Sequence, residues 1–326
     1  MTPEQRFVLF MACIVAATVG GYLARRTGLV RPAWAGRTMS AAIIGCDAPI
    51  AWLAIWFLEI DSNIWKVPVA GAAVGVATCL AGLWVARSRR MAATDAAVFG
   101  LQAGMGNVGY TLGGLICFLV WGIQGLAVEQ MFCMMWPFFA FLFCFPIGRH
   151  YGETAGAITV HASPLAYAVR SLWRSLMDLR SLPLYLATLG LVLNLRGIAP
   201  PEAVREWHVI DALMIIGICT QFGSVGMTVY AGRMPLYWKK ALGTAGLKFI
   251  VSPALMLIAA LAMGIEGMPL YVCLILAAMP SALYSVLMAN LFGLNRDLAN
   301  TTFILTHAVC FVAMVPAMAL WYWSAR

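Results

Sequence analysis

Apolar residues in this chain come in long unbroken runs, with no strict alternation. Ten runs stand out, at about 7–24, 38–58, 65–86, 96–118, 126–148, 182–196, 207–231, 241–264, 269–292 and 300–322. Runs of roughly 20 apolar residues are long enough for a helix to cross the hydrocarbon of a bilayer. A membrane β-barrel would instead alternate over segments of ~10 residues. The pattern predicts an all-α polytopic membrane protein with ten transmembrane helices. The sixth run is the shortest, bounded by Arg180 and Arg196, and is expected either to tilt little or to be extended by snorkelling arginines. The first run ends at Arg25-Arg26, the reverse of the charge polarity of a secretory leader, so it is expected to be a span.

Basic residues fall between the runs unevenly. Fifteen of the 21 Lys and Arg lie in the odd-numbered loops, from Arg25 to Arg296. Five lie in the even loops, at the adjoining run ends and in the termini, and Lys248 alone lies deep inside a run. The positive-inside rule then places both termini on the non-cytoplasmic side of a cell (inner) membrane. The net charge of +8 is accounted for by this orientation and needs no nucleic-acid partner. Trp65, Trp121, Trp207, Trp238, Trp321, Tyr322 and Trp323 cluster at run ends, where interfacial anchors belong.

The longest loop, 149–180, separates a first five-helix repeat (1–148) from a second (181–326). Within it Ser163 can cap a helix, and Leu165, Val169, Leu172, Leu176 and Leu179 share a face. An amphipathic helix at the membrane surface is expected there.

Polar and helix-weakening residues interrupt the pattern in two informative places. "GLQAGMGNVGYTLGGL" (100–115) holds six glycines and Asn107 in a run without charge. "MGNVGYTL" (105–112) and "MPSALYSV" (279–286) share Met, Tyr and a small hydroxyl residue at a constant offset. Each sits in the fourth run of its half. Halves with an odd number of spans must be inverted relative to one another, as in many transporters. Gly disfavours helix by ~1 kcal/mol relative to Ala and Pro by ~3 kcal/mol. The fourth and ninth helices are therefore expected to break and cross, with their freed backbone groups lining a site. Half-helix N-termini would attract an anion there. Close packing of small residues is the alternative use of the glycines.

At these residues the chain resembles the auxin efflux carrier (AEC/PIN-like) family. The resemblance rests on "LKFIVSPALMLIAAL" (247–261), "LAAMPSALYSVLMANLFGLNRDLANTTFILT" (276–306) and "GNVGYTLGG" (106–114). It implies two inverted five-helix repeats, and a scaffold and a transport domain moving in an elevator-type alternating access around crossed helices 4 and 9. It implies a secondary transporter, an efflux carrier of a small organic anion such as indole acetate, malate or malonate. Asn107 and Pro280 fall on the family's crossover positions, and Asn290 on a polar position late in the ninth span. Gly106, Gly109, Tyr110, Ser281, Tyr284 and Ser285 complete the expected substrate-binding set. Two departures are visible: Gly113-Gly114 stands where the family has Pro, and Asp47 precedes Pro49 in a normally apolar stretch.

Ionisable residues inside a membrane are functional candidates. Asp47 is read as a proton carrier, or as paired with Lys248 or with a residue lining an aqueous cavity; Lys248 either attracts the anion or neutralises Asp47. His307 is read as a hydrogen-bonded packing residue. The alternative within carriers is a sodium- or proton-coupled organic-anion symporter of the bile-acid-symporter type. Against an enzyme stand the missing GxSxG, HExxH, GxGD and Walker motifs. The nine cysteines, none in a CxxC pair, and four histidines offer no metal site. No cofactor is expected. The expected partners are the organic anion and the lipid bilayer, with a homodimer allowed.

Overall fold

The computed structural model describes residues 3–31, 33–159, 163–228, 233–314 and 316–317. The end of the tenth run, with Trp321, Tyr322 and Trp323, lies outside the described residues. In chain order the helices are α1 (Pro3–Arg26), α2 (Trp34–Trp56), α3 (Ile64–Ser88), α4 (Ala93–Gly104), α5 (Gly113–Cys133), α6 (136–154), α7 (Pro164–Leu176), α8 (Leu182–Leu195), α9 (Val209–Thr228), α10 (Met234–Met263), α11 (Gly267–Ala277), α12 (Leu283–Leu291) and α13 (Arg296–Met314).

Among the described residues, seven helical stretches are long and apolar enough to cross a membrane, or eight if the pair 165–176 and 179–195 counts as one. There is no strand among them, only the isolated antiparallel bridge between Gly106 and Ser281. This is a multi-pass helical membrane protein. The expected fourth and ninth runs escape a test of length because each is split, into α4 with the start of α5 and into α11 with α12. Within α5 the chain kinks at Gly122, with φ 63° and ψ −145°. A side chain is disfavoured at such a backbone, so glycine is required there.

Four segments widen to π-helix, at 43–47, 139–144, 247–251 and 310–314. Each lies just N-terminal to a proline: Pro49, Pro146, Pro253 and Pro316. Proline lacks an N–H and its ring collides with the carbonyl four residues back. One wide turn absorbs that misfit without ending the helix. Two of the four turns carry the intramembrane ionisable residues Asp47 and Lys248.

By packing, the chain divides into two discontinuous units: Met1–Asp61 with Gly109–Met131 and Ser175–Val229, and Ser62–Val108 with Phe132–Arg174 and Tyr230–Arg326. Each draws on both halves of the sequence. In the first unit α1 and α9 touch backbone to backbone. A Cβ on Gly21 would sit 2.1 Å from the Gly223 carbonyl oxygen, and one on Gly226 2.1 Å from that of Thr18. Gly190 lets α8 approach α2 in the same way, 2.4 Å from the Trp52 carbonyl oxygen. Small residues supply this contact because lipid gives no hydrophobic drive between helices. In the second unit α3 and α4 close through Gly82, Gly100 and Gly104. Large apolar side chains such as Val15, Trp84, Ile250 and Ile258 point outward.

Ser163 caps α7 as expected, its Oγ accepting from the Ala166 N–H at 3.2 Å. The apolar face of α7 stays exposed at Leu165, Val169 and Trp173. Just beyond it, the Arg180 side chain and N–H both donate to Asp178 and hold its carboxyl down to about 2.

Candidate functional site

The site develops where the second unit's two interruptions meet. Between α4 and α12 the chain leaves helix over 105–112 and again over 278–282. Peptide groups freed there need partners, since an unpaired one in hydrocarbon costs several kcal/mol. They find each other: the Asn107 N–H donates to the Pro280 carbonyl at 2.7 Å, and the Ala282 N–H to the Met105 carbonyl at 2.9 Å. These bonds flank the Gly106–Ser281 bridge. Ser281 is fully buried; its Oγ donates to the Gln102 carbonyl at 3.1 Å, and its N–H to Thr306 Oγ1 at 3.2 Å. The interruptions thus form a two-stranded stitch inside a helical unit.

Lys248 stands beside the stitch. It is 2% exposed, and its Nζ lies 3.0 Å from where a Cβ on Gly106 would be. Among the described residues no carboxylate lies within ion-pair distance of it. Lys248, Gly104, Gly106, Ser252, Phe132 and Trp136 help to line a cavity of about 40 Å³. That is room for a few water-sized groups, since one water needs roughly 10–15 Å³ by the same measure. The walls are largely aromatic and aliphatic, so the cation and the serine hydroxyl are the groups that could bind a polar solute.

The expected binding residues divide between the units. Asn107, Gly106, Pro280, Ser281, Tyr284 and Ser285 come together in the second. Tyr284 packs edge-on against Trp136, ring centroids 4.9 Å apart, and Ser285 Oγ donates to the Ala282 carbonyl at 2.6 Å. Asn290 sits at the far end of α12, exposed, donating to the Val286 carbonyl at 3.1 Å. Gly109 and Tyr110 belong to the first unit. There the Gly109 carbonyl accepts from Gly114 N–H at 3.0 Å, and the Tyr110 hydroxyl donates to Gln130 Oε1. Asp47 also lies in the first unit, buried, accepting from Gln221 Nε2 at 2.8 Å.

The glycines serve both uses that the sequence leaves open. A Cβ on Gly104 would meet Cys79 Cβ at 2.6 Å and the Gly75 carbonyl oxygen at 2.7 Å, so Gly104 is a packing residue. A Cβ on Gly109 would meet nothing within 4 Å. Gly109 therefore loosens the chain without packing.

Glu129 escapes the sequence reading, and His307, read as a hydrogen-bonded packing residue, has a particular partner. Glu129 is fully buried, accepts from Gln130 Nε2, and presents Oε2 2.8 Å from where a Gly114 Cβ would be, at the start of α5. An acidic residue within a few positions of a run's start was its one visible signal. His307 reaches Asn107, with Nε2 3.1 Å from Asn107 Nδ2. Among the described residues no group of three or more His, Cys, Asp or Glu could hold a metal ion.

Two interrupted membrane helices are thus stitched together beside a buried lysine. Residues 179–322 match the family model described as membrane transport protein. The chain is also 27% identical over 161 residues to a protein of Oryza sativa subsp. japonica named "Probable auxin efflux carrier component 9". That similarity covers 47% of this chain and 38% of the rice protein, so the chain matches well under half the length of that relative. Both findings bear out the resemblance to the auxin efflux carrier family.

Proposed function

We propose that the chain is a secondary carrier for a small organic anion, recognised through a carboxylate. The observation that carries this reading is Lys248, a buried lysine without a carboxylate partner among the described residues, facing a cavity beside the stitch. A buried ammonium is costly unless a negative charge meets it. A solute that brings its own carboxylate supplies that charge and gains the most from the dry surroundings. The aromatic wall at Phe132 and Trp136 suits an apolar body behind the carboxylate. The family resemblance supports outward transport across a cell membrane, with alternating access of the elevator type.

The test is ligand-induced stabilisation of purified protein across a panel of mono- and dicarboxylates, malonate and indole acetate included. Binding raises the unfolding temperature by mass action. Lys248→Met and Asn107→Ala are each expected to reduce the shift, with Lys248→Met showing the larger loss. A carboxylate shift that survives Lys248→Met would place the anion elsewhere.

A further inference from the structure

Hydroxyls on the membrane helices of this protein follow a habit. Thr18, Thr78, Ser224 and Thr306 each donate to the carbonyl four residues back, at 2.7–2.8 Å. That carbonyl is the nearest acceptor for a serine or threonine inside a helix. Ser252 departs from the habit. It is 4% exposed on α10, and among the described residues no hydrogen bond engages its Oγ. Thr244 and Thr302 also hold unbonded hydroxyls, but both oxygens are sealed in the interior and neither residue lines the cavity beside the stitch. Ser252 does line it.

Lys248 lines the same cavity one turn earlier on α10, and it too lacks a hydrogen bond or ion pair among the described residues. Side chains four positions apart share a helix face. The wide turn at 247–251 ends at Ser252, whose N–H reaches back to the Leu247 carbonyl. The other residues of the lining are glycine, aliphatic or aromatic. A dry pocket thus presents two neighbouring donors, a lysine nitrogen and a hydroxyl, with nothing from the protein to accept from them. A carboxylate is the complement, because it has two accepting oxygens on one carbon. We propose that Ser252 is a second binding residue of the anion site, its hydroxyl donating to one carboxylate oxygen while Lys248 meets the other. The proposal rests on the carrier reading above. Two adjacent donors select the two-oxygen end of an acid, where a single donor would accept any lone carbonyl. An unbonded hydroxyl in an apolar interior destabilises the empty protein, and a bound carboxylate offsets that.

The test titrates full-length protein with malonate and follows both affinity and the melting temperature without ligand. Ser252→Ala should weaken malonate binding about tenfold, equivalent to 1.4 kcal/mol. Its ligand-free melting temperature should equal or exceed that of the wild type, since only an unbonded hydroxyl is lost. Ser252→Thr, which keeps the hydroxyl, should bind malonate more tightly than Ser252→Ala. In the Lys248→Met background, Ser252→Ala should weaken binding by much less than tenfold, because two groups holding one carboxylate are coupled. Unchanged malonate affinity in Ser252→Ala, a fall in its ligand-free melting temperature, or strictly additive losses in the double variant overturns the proposal. If malonate binds and Lys248→Met weakens it while Ser252→Ala does not, the carrier reading stands and the second arm alone falls. If no carboxylate of the panel stabilises the wild type, the carrier reading falls and takes this proposal with it.

Discussion

The two interrupted helices do the same thing by different means. The ninth breaks at Pro280 and is out of helix for only 278–282. The fourth has no proline; it loosens over 105–112, with Gly106 and Gly109 within the gap. Proline makes a short, sharp break because it removes a donor and blocks the carbonyl four residues back. Glycine only makes the helix less favourable, so the break is longer and needs outside help. The Pro280 carbonyl supplies part of that help by accepting from Asn107 N–H. Seen this way, the proline break holds the glycine break open.

The largest effect is expected from the proline side. Pro280→Ala removes about 3 kcal/mol of penalty against continuous helix. The carbonyl at 280 would then turn into a helical bond and release Asn107. Hydrogen exchange at the Asn107 amide should rise from slow to fast, and malonate stabilisation should disappear. Slow exchange in Pro280→Ala would show that the glycine break stands by itself.

The next effect is on the glycine side, beyond the stitch. Tyr110 donates to Gln130, which donates to Glu129, and Glu129 is fully buried. Tyr110→Phe deprives the buried Gln130 Oε1 of that donor, at a cost of about 1–2 kcal/mol. Chemical denaturation in detergent should show that loss, while malonate affinity stays close to wild type because the Tyr110 hydroxyl is committed to Gln130. A large loss of affinity with little loss of stability would make Tyr110 a binding residue.

Much of this could be read from sequence, for a simple reason. Interruption of a membrane helix needs residues that weaken helix, and the glycines of one segment and the proline of the other fall where Met, Tyr and a hydroxyl residue recur at a fixed offset. Lys248 was visible as the one basic residue inside a run. The π-turns were not legible as such, although each sits before a proline that was. The sharing of glycines between packing and loosening depends on what faces each one, which no single sequence displays. Asn290 matched a motif position, yet its amide turns back to its own helix. His307 resembled packing because a polar group's role is set by its partner, here Asn107, 200 residues away in sequence. The division into two units interleaves distant segments, so the boundary at the long loop told little about which residues would pack together.

The smallest effect separates loosening from contact within the glycine break. Gly106→Ala and Gly109→Ala each favour helix by about 1 kcal/mol, so their pull on the break is the same. Their surroundings differ. The new methyl on residue 106 would lie 3.0 Å from Lys248 Nζ and 3.2 Å from Val108 Cγ1, whereas the one on residue 109 meets nothing within 4 Å. If the break matters only through its looseness, the two variants should weaken malonate stabilisation equally. If Lys248 binds the carboxylate beside the stitch, Gly106→Ala should cost more, because the ammonium must yield a few tenths of an ångström. Titration of both variants with malonate decides between these. Equal affinities would detach Lys248 from the carboxylate, because the only physical difference between the two methyl groups is what each one touches.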